Sequence, residues 1–260
     1  MKEILQYKEL LYFLVHKELR VRYRNTFFGY FWTLLEPLGL MLIFTLVFSI
    51  IARVTIDNYT LFLVTGLIPF MYTQHAVSRG AKSLTSNSSL IKKVYFPREL
   101  FPITITFSSL VNLLISLILV AAYSLYVNGS IPLMGLAVLP LVILLQTMLL
   151  LGIVFFFSCI NVYFRDIEFI VGLLMRGWMY MSAVMYPLIQ VKEQLGESYF
   201  MIFQINPMVT ILSIYRWIFH GGELLPTFGM IAYTVVFSIV IFFVGWRFFR
   251  VMSRKIGEVM

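Results

Sequence analysis

The sequence predicts an all-α membrane protein of six transmembrane helices, and three observations carry that expectation. Sixty per cent of the 260 residues are hydrophobic and 12% are charged, with a mean hydropathy of +0.90. Soluble domains carry about 25% charged residues, so this chain cannot cover a water-facing surface. Six apolar stretches reach the length of about 20 residues that a helix needs to span a bilayer core. Finally, the basic residues sort into alternate connections between those stretches. The chain has room for one membrane domain, residues 1–260, and none for a second soluble one.

The first 25 residues read as an amphipathic helix in the membrane interface. Ile4, Leu5, Leu11, Leu14, Val15 and Leu19 can share one side, with Lys8, Lys17, Arg20 and Arg24 toward headgroups. The stretch lacks an apolar core followed by a cleavage site, so it does not read as a signal peptide. The expected spans are Phe27 to Ile51, Leu61 to Ser78, Pro102 to Val127, Leu133 to Ile160, Ile167 to Tyr186 and Thr227 to Phe249. Between the last two, residues 187–226 hold apolar runs too short to cross, Tyr199 to Ile205 and Met208 to Phe219, broken at Asn206-Pro207. They predict two short re-entrant half-helices on the outer side, which need a cover of protein or water.

Sixteen of the twenty Lys and Arg residues fall before span one, after spans two and four, and after span six. Arg53, Lys192 and Arg216 fall on the other side, and Arg176 lies within span five. That asymmetry places both termini in the cytoplasm. Net charge is +8. Its placement at span ends points to anionic lipid heads rather than nucleic acid.

Chemistry for an enzyme is missing from the pattern. No G-x-x-x-x-G-K-[ST] loop occurs; Gly80-Ala81-Lys82-Ser83 has the Lys-Ser step without the phosphate cradle. His16, His75 and His220 are far apart, and Cys159 is the single cysteine, so neither a metal set nor a disulfide within the chain is expected. Asp166 and Glu168 are two apart and do not share a helix face. The predicted list of catalytic and metal residues is therefore empty.

Ionisable residues inside spans are costly and face bundle interiors. Glu36, just before Pro37, and Arg176 sit at similar apparent depths, so a Glu36–Arg176 pair is expected, either fixing helix packing or serving transport. His75, Asn112 and Gln146 are expected to hydrogen-bond between helices. Aromatics make up 17% of the chain. Phe31, Trp32, Trp178, Tyr180 and Tyr186 suit lipid belts or core; they also suit a sugar path, because ring faces stack without demanding one identity.

Five stretches together resemble one family: KELRVRYRNTFFGYFWTLLEPL at 17–38, NYTLFLVTGLIPF at 58–70, LIKKVYFPRELFPI at 90–103, NVYFRDIE at 161–168 and INPM at 205–208. With the six-span layout they are similar to the ABC-2 type polysaccharide export permeases (type V exporter-like fold), which include the Wzm-type O-antigen, teichoic-acid and capsule exporters. The resemblance implies a homodimer in the bacterial inner membrane, paired with two copies of a separate ATPase. ATP and Mg belong to that partner, and this chain carries no cofactor. The implied substrate is a glycan on undecaprenyl diphosphate. In that setting Arg20, Arg22 and Arg24 stand where the diphosphate arrives, since arginine forks bind phosphate oxygens. The loop 79–101 is expected to dock the ATPase through Leu84, Leu90, Ile91, Lys92 and Lys93, with Arg165 and Asp166 as a second contact. In the plainer reading those charges obey the positive-inside rule and Arg165–Asp166 is a local pair. Export of a drug or antibiotic, a polyprenyl-lipid transferase, and a proton-coupled transporter leaning on Glu36 and His75 are the competing functions.

Overall fold

A computed structural model describes residues 6–51, 56–93, 96–221 and 226–259. Lys2 and Arg53 fall outside them, as do the side chains of Lys93, Arg254 and Lys255. Every regular element among the described residues is helical. Helix α1 runs Lys8–Tyr23, and α2 runs Trp32–Thr45 between a 3-10 turn (Gly29–Phe31) and a π turn (Leu46–Ile51). Then come α3 Tyr59–Ala81, α4 Ser88–Lys93, α5 Leu100–Asn128, α6 Leu133–Tyr163 and α7 Ile167–Met181. Three short helices follow, α8 Leu188–Leu195, α9 Glu197–Ile205 and α10 Pro207–Phe219, before α11 Phe228–Val259.

Each predicted span has a helix at its place. Among the described residues four helical segments, Gly29–Phe48, Leu100–Asn128, Leu133–Tyr163 and Phe228–Ser253, are long and apolar enough to cross a membrane. Helix α3 is 23 residues long but carries Gln74, His75 and Arg79. It tolerates them because it is the central element, packed against α2, α5, α6, α7 and α10. Helix α7 is shorter than expected, 15 residues, or about 22 Å at 1.5 Å per residue. It ends because Ala183 turns left-handed at φ +51°. The side chains of Asn206 and Arg216 then take the freed carbonyls of Met181, Ala183 and Val184.

The predicted break at Asn206-Pro207 is a helix start. The Asn206 side chain accepts from Met208 N (3.0 Å) and Pro207 occupies the first turn of α10. Helix α10 is buried over almost its whole length. The two half-helices expected between spans five and six correspond to α9 and α10, with α8 as an additional element.

Contacts sort the connections onto two ends of the bundle. At the basic end Arg79 pairs with Glu18, Lys82 with Glu168 (3.2 Å) and Arg250 with Glu99 (3.6 Å), and Arg98 donates to Ser253 O. At the opposite end Tyr59 donates to Met185 O (2.9 Å), Asn128 to Phe219 O (2.8 Å), and His220 lies against Asp57 O (2.9 Å). The segments with most of the positive charge thus share one end.

Gln146 links three helices in the core. Its amide donates to Pro69 O (2.8 Å) and Thr73 Oγ1 (3.0 Å), and it accepts from Tyr215 Oη (3.1 Å). Gln146→Leu leaves those buried groups without their partner. It is expected to cost about 1–3 kcal/mol, read as a lowered Tm in detergent; an unchanged Tm would refute the role.

Candidate functional site

The site forms where α1 turns into α2. Tyr23, the last residue of α1, is buried and carries a short polar chain: Thr33 Oγ1 donates to its hydroxyl (2.8 Å), which donates to Asn112 Oδ1 (3.4 Å). Ser116 of α5 donates to Thr33 O (3.3 Å). These bonds pin the α1–α2 corner to α5 by side chains, where helical backbone bonding stops.

Glu36 is the acidic centre of this corner. Its carboxylate lies 3.4 Å from His75 Nε2 on α3 and 3.8 Å from Arg22 Nη2 on α1. The expected Glu36–Arg176 pair is therefore replaced. Arg176 is exposed on α7, and Glu36 joins α1 and α3 instead. Depth read along a sequence does not report which side of a helix a residue occupies. His75 and Asn112 do bond between helices, as Gln146 does.

Two spaces that share Arg22, Tyr23 and Glu36 in their walls adjoin at this corner. A groove of about 460 Å³ is lined by Arg22, Tyr23, Thr26, Trp32 and Glu36. Behind it a cavity of about 30 Å³ reaches inward past His75 to Ser109 and Asn112. The arrangement offers an aromatic wall, a carboxylate, a guanidinium and hydroxyls on one surface. No group of His, Cys, Asp and Glu among the described residues could hold a metal ion.

The ABC-2 type transporter family matches residues 9–220 of the chain, site included. The chain belongs to this family. The ABC-2 protein is also 31% identical to the O-antigen export system permease protein RfbA of Myxococcus xanthus, over 99% of this chain and 97% of that protein. It is 30% identical to RfbA of Klebsiella pneumoniae (97% and 95% covered), and 26% identical to the polysialic acid transport protein KpsM of Escherichia coli (90% of each).

The remaining predicted residues of the ABC-2 protein scatter. Of the three arginines only Arg22 turns toward Glu36; Arg20, beside His16 (3.3 Å), and Arg24 are exposed. Trp32 lines the groove, whereas Phe31 is exposed away from it. Trp178 donates to Asn206 Oδ1 (2.9 Å) and its ring meets Phe70 edge-on, so it ties α7 to α10. Tyr180 is exposed, and Tyr186 donates to its backbone oxygen.

The expected ATPase contacts need one correction. Leu84 is fully buried with Phe101, Ile103, Phe155, Cys159 and Phe249, so it belongs to the core of the basic end and not to a docking surface. Leu90 and Ile91 pack against that core. Lys92, Arg165 and Asp166 are exposed.

Sequence reasoning missed Tyr23, Thr33, Ser109 and Ser116, whose hydroxyls are common within apolar helices. It also counted Arg216 only as a basic residue of the side opposite the termini, without foreseeing that its side chain is buried. The available signal was a lone arginine inside the apolar run Met208 to Phe219.

Proposed function

We propose that this ABC-2 protein is the permease subunit of an ATP-driven exporter that moves an undecaprenyl diphosphate-linked polysaccharide across the bacterial cytoplasmic membrane. The observation that carries the reading is similarity from end to end with O-antigen export permeases. Its charge pattern and its helices support six crossings with both termini in the cytoplasm. In this reading α3 and α7 cross with the four more apolar segments, and α9 and α10 enter the outer leaflet from outside under cover of protein.

Two copies form the pathway between them. Helix α7 exposes Phe169, Ile170, Leu173 and Leu174 beside Arg176. A charge at mid-bilayer costs about 2.5–3.5 kcal/mol in lipid, which favours a water-filled path between two subunits on this face. Two ATPase subunits, holding ATP and Mg, dock on exposed parts of the basic end: the surface around Lys82, Ser89 and Lys92, and the Arg165-Asp166 turn. Leu84 then links the docked surface to α6 and α11 through its packing with Phe155 and Phe249.

The diphosphate cannot cross hydrocarbon unaided. Arg20 and Arg24, exposed at the basic end, draw it to the α1–α2 corner, where Arg22 stands beside the groove. Replacing Arg20, Arg22 and Arg24 together by Gln is expected to lower surface glycan by about tenfold or more, measured in cells co-expressing the ATPase, with the ATPase still co-purifying. Undiminished surface glycan would remove the arginines from the headgroup path. Vesicles with the reconstituted permease and ATPase test the whole reading. Glycolipid translocation that needs both subunits and ATP supports it; translocation by the permease alone contradicts it.

A further inference from the structure

We propose that the groove at Trp32, with the cavity behind Glu36, is a subsite for a single sugar ring, the one next to the diphosphate. The proposal rests on the export reading above and names which part of the substrate this corner recognises.

Unfilled hydrogen bonding points to a ligand. Asn112 (8% exposed) and Ser109 (1% exposed) line the cavity, and among the described residues Asn112 Nδ2 and Ser109 Oγ have no hydrogen-bond partner. Arg22 Nη1 is also buried without one. Buried polar groups in folded proteins are almost always satisfied. Three unsatisfied groups around one cavity therefore mark a place where something polar is bound. The ion-pair distances agree: Arg22 and Glu36 stand 3.8 Å apart, beyond the roughly 2.7–2.9 Å of a charge-assisted hydrogen bond. Both keep bonding capacity for a third group.

Shape and charge then select the ligand. Trp32 is 44% exposed and held edge-on to Phe28 at 5.6 Å, so one wall of the groove is a fixed aromatic surface. The groove's 460 Å³ lies within the range of about 300–1,000 Å³ typical of small-molecule sites. The inner cavity, 30 Å³, has room for about two water-sized groups at 10–15 Å³ each, such as ring substituents or the waters that bridge them. Glu36 on the wall repels phosphate oxygens and accepts from hydroxyls. Arg22 and Asn112 donate to ring and substituent oxygens. A neutral, hydroxylated ring with an apolar face meets all of these demands. The diphosphate stays outside, with Arg20 and Arg24.

The test uses the full-length permease in lipid nanodiscs, its tryptophans replaced by 5-fluorotryptophan and the Trp32 resonance assigned with Trp32→Phe. Two probes are titrated, undecaprenyl diphosphate and the same lipid carrying one N-acetylglucosamine. The sugar-bearing lipid is expected to bind about tenfold tighter and alone to shift the Trp32 fluorine signal. Trp32→Ala, at an exposed position, should collapse that difference. Equal binding of the two lipids, a Trp32 signal that neither or both move, or a Trp32→Ala variant that keeps the tenfold preference overturns the subsite and leaves the export reading standing. Binding of neither lipid overturns both.

Discussion

Gly245→Ala is expected to force α6 and α11 apart and to lower the stability of the whole bundle sharply. A Cβ at Gly245 would overlap the Gly152 carbonyl oxygen and lie 2.8 Å from its carbon. A Cβ at Gly152 would meet Ile241 C at 2.6 Å and Phe242 N at 2.7 Å. The obstacle on both sides is backbone, so no rotamer change relieves it and the helix axes must separate. Membrane helices hold together largely through such close packing, because lipid supplies little hydrophobic drive between them. Overpacking a well-fitted contact costs about 1–3 kcal/mol, and more where the backbone must move. The separation also reaches the basic end, where Cys159 of α6 and Phe249 of α11 pack around Leu84. Thermal unfolding in detergent should show a large drop in Tm for Gly245→Ala and for Gly152→Ala. The double variant should cost less than the sum, since one displacement serves both. Gly177→Ala is the control: among the described residues nothing lies within 4 Å of a Cβ there, and alanine favours helix by about 1 kcal/mol. Wild-type Tm values for both contact variants would refute the account.

The helices were legible because their signals are local. A bilayer demands a long apolar run, and α2, α5, α6 and α11 each supply one. Asn206-Pro207 was legible as a break between two short runs because a proline interrupts a helix locally; that the pair also caps and starts α10 comes from the structure. The grouping of charge at one end was legible for the same reason: residues near a helix end stay near it however the helix turns. What failed was azimuth. Glu36 and Arg176 match in apparent depth, but α2 points its carboxylate at α1 and α3 while α7 exposes its arginine. Leu84 failed differently. An apolar residue in a charged loop serves equally well as a docking anchor or as core, and only packing against Phe155 and Phe249 decides it. Ser109 carries no pattern, and Tyr23 stands out only as one residue of the stretch 17–38; their part in the site comes from helices far apart in sequence meeting at one corner.

Arg216→Met is expected to destabilise the end of the bundle opposite the basic one by about 3–5 kcal/mol. Arg216 is 2% exposed, and its Nη2 donates to Ala183 O (2.7 Å) and Val184 O (2.9 Å) while its guanidinium stacks 3.7 Å from the Phe62 ring centroid. The two acceptors belong to the left-handed turn after α7, and Ala183 and Val184 are themselves buried. Methionine fills much of the same volume but donates nothing, so two carbonyls lose a charged donor with no water to replace it. The ring loses its cation as well, worth about 0.5–2 kcal/mol. Arg216→Lys should recover only part of the loss, because an ammonium is not a planar group that can lie flat on a ring while it donates to the carbonyls beside it. Phe62→Leu keeps the hydrogen bonds and removes the ring, so the cycle with Arg216→Met separates the two contributions. The turn is also held by Asn206 at Met181 O and Ser182 Oγ (both 3.0 Å) and by Tyr59 at Met185 O. The damage should therefore appear first as faster protease cleavage between residues 181 and 186, and then as a lower Tm. A variant with wild-type Tm and an uncut turn would show that the carbonyls find other donors and that the arginine is not what shapes this end of the bundle.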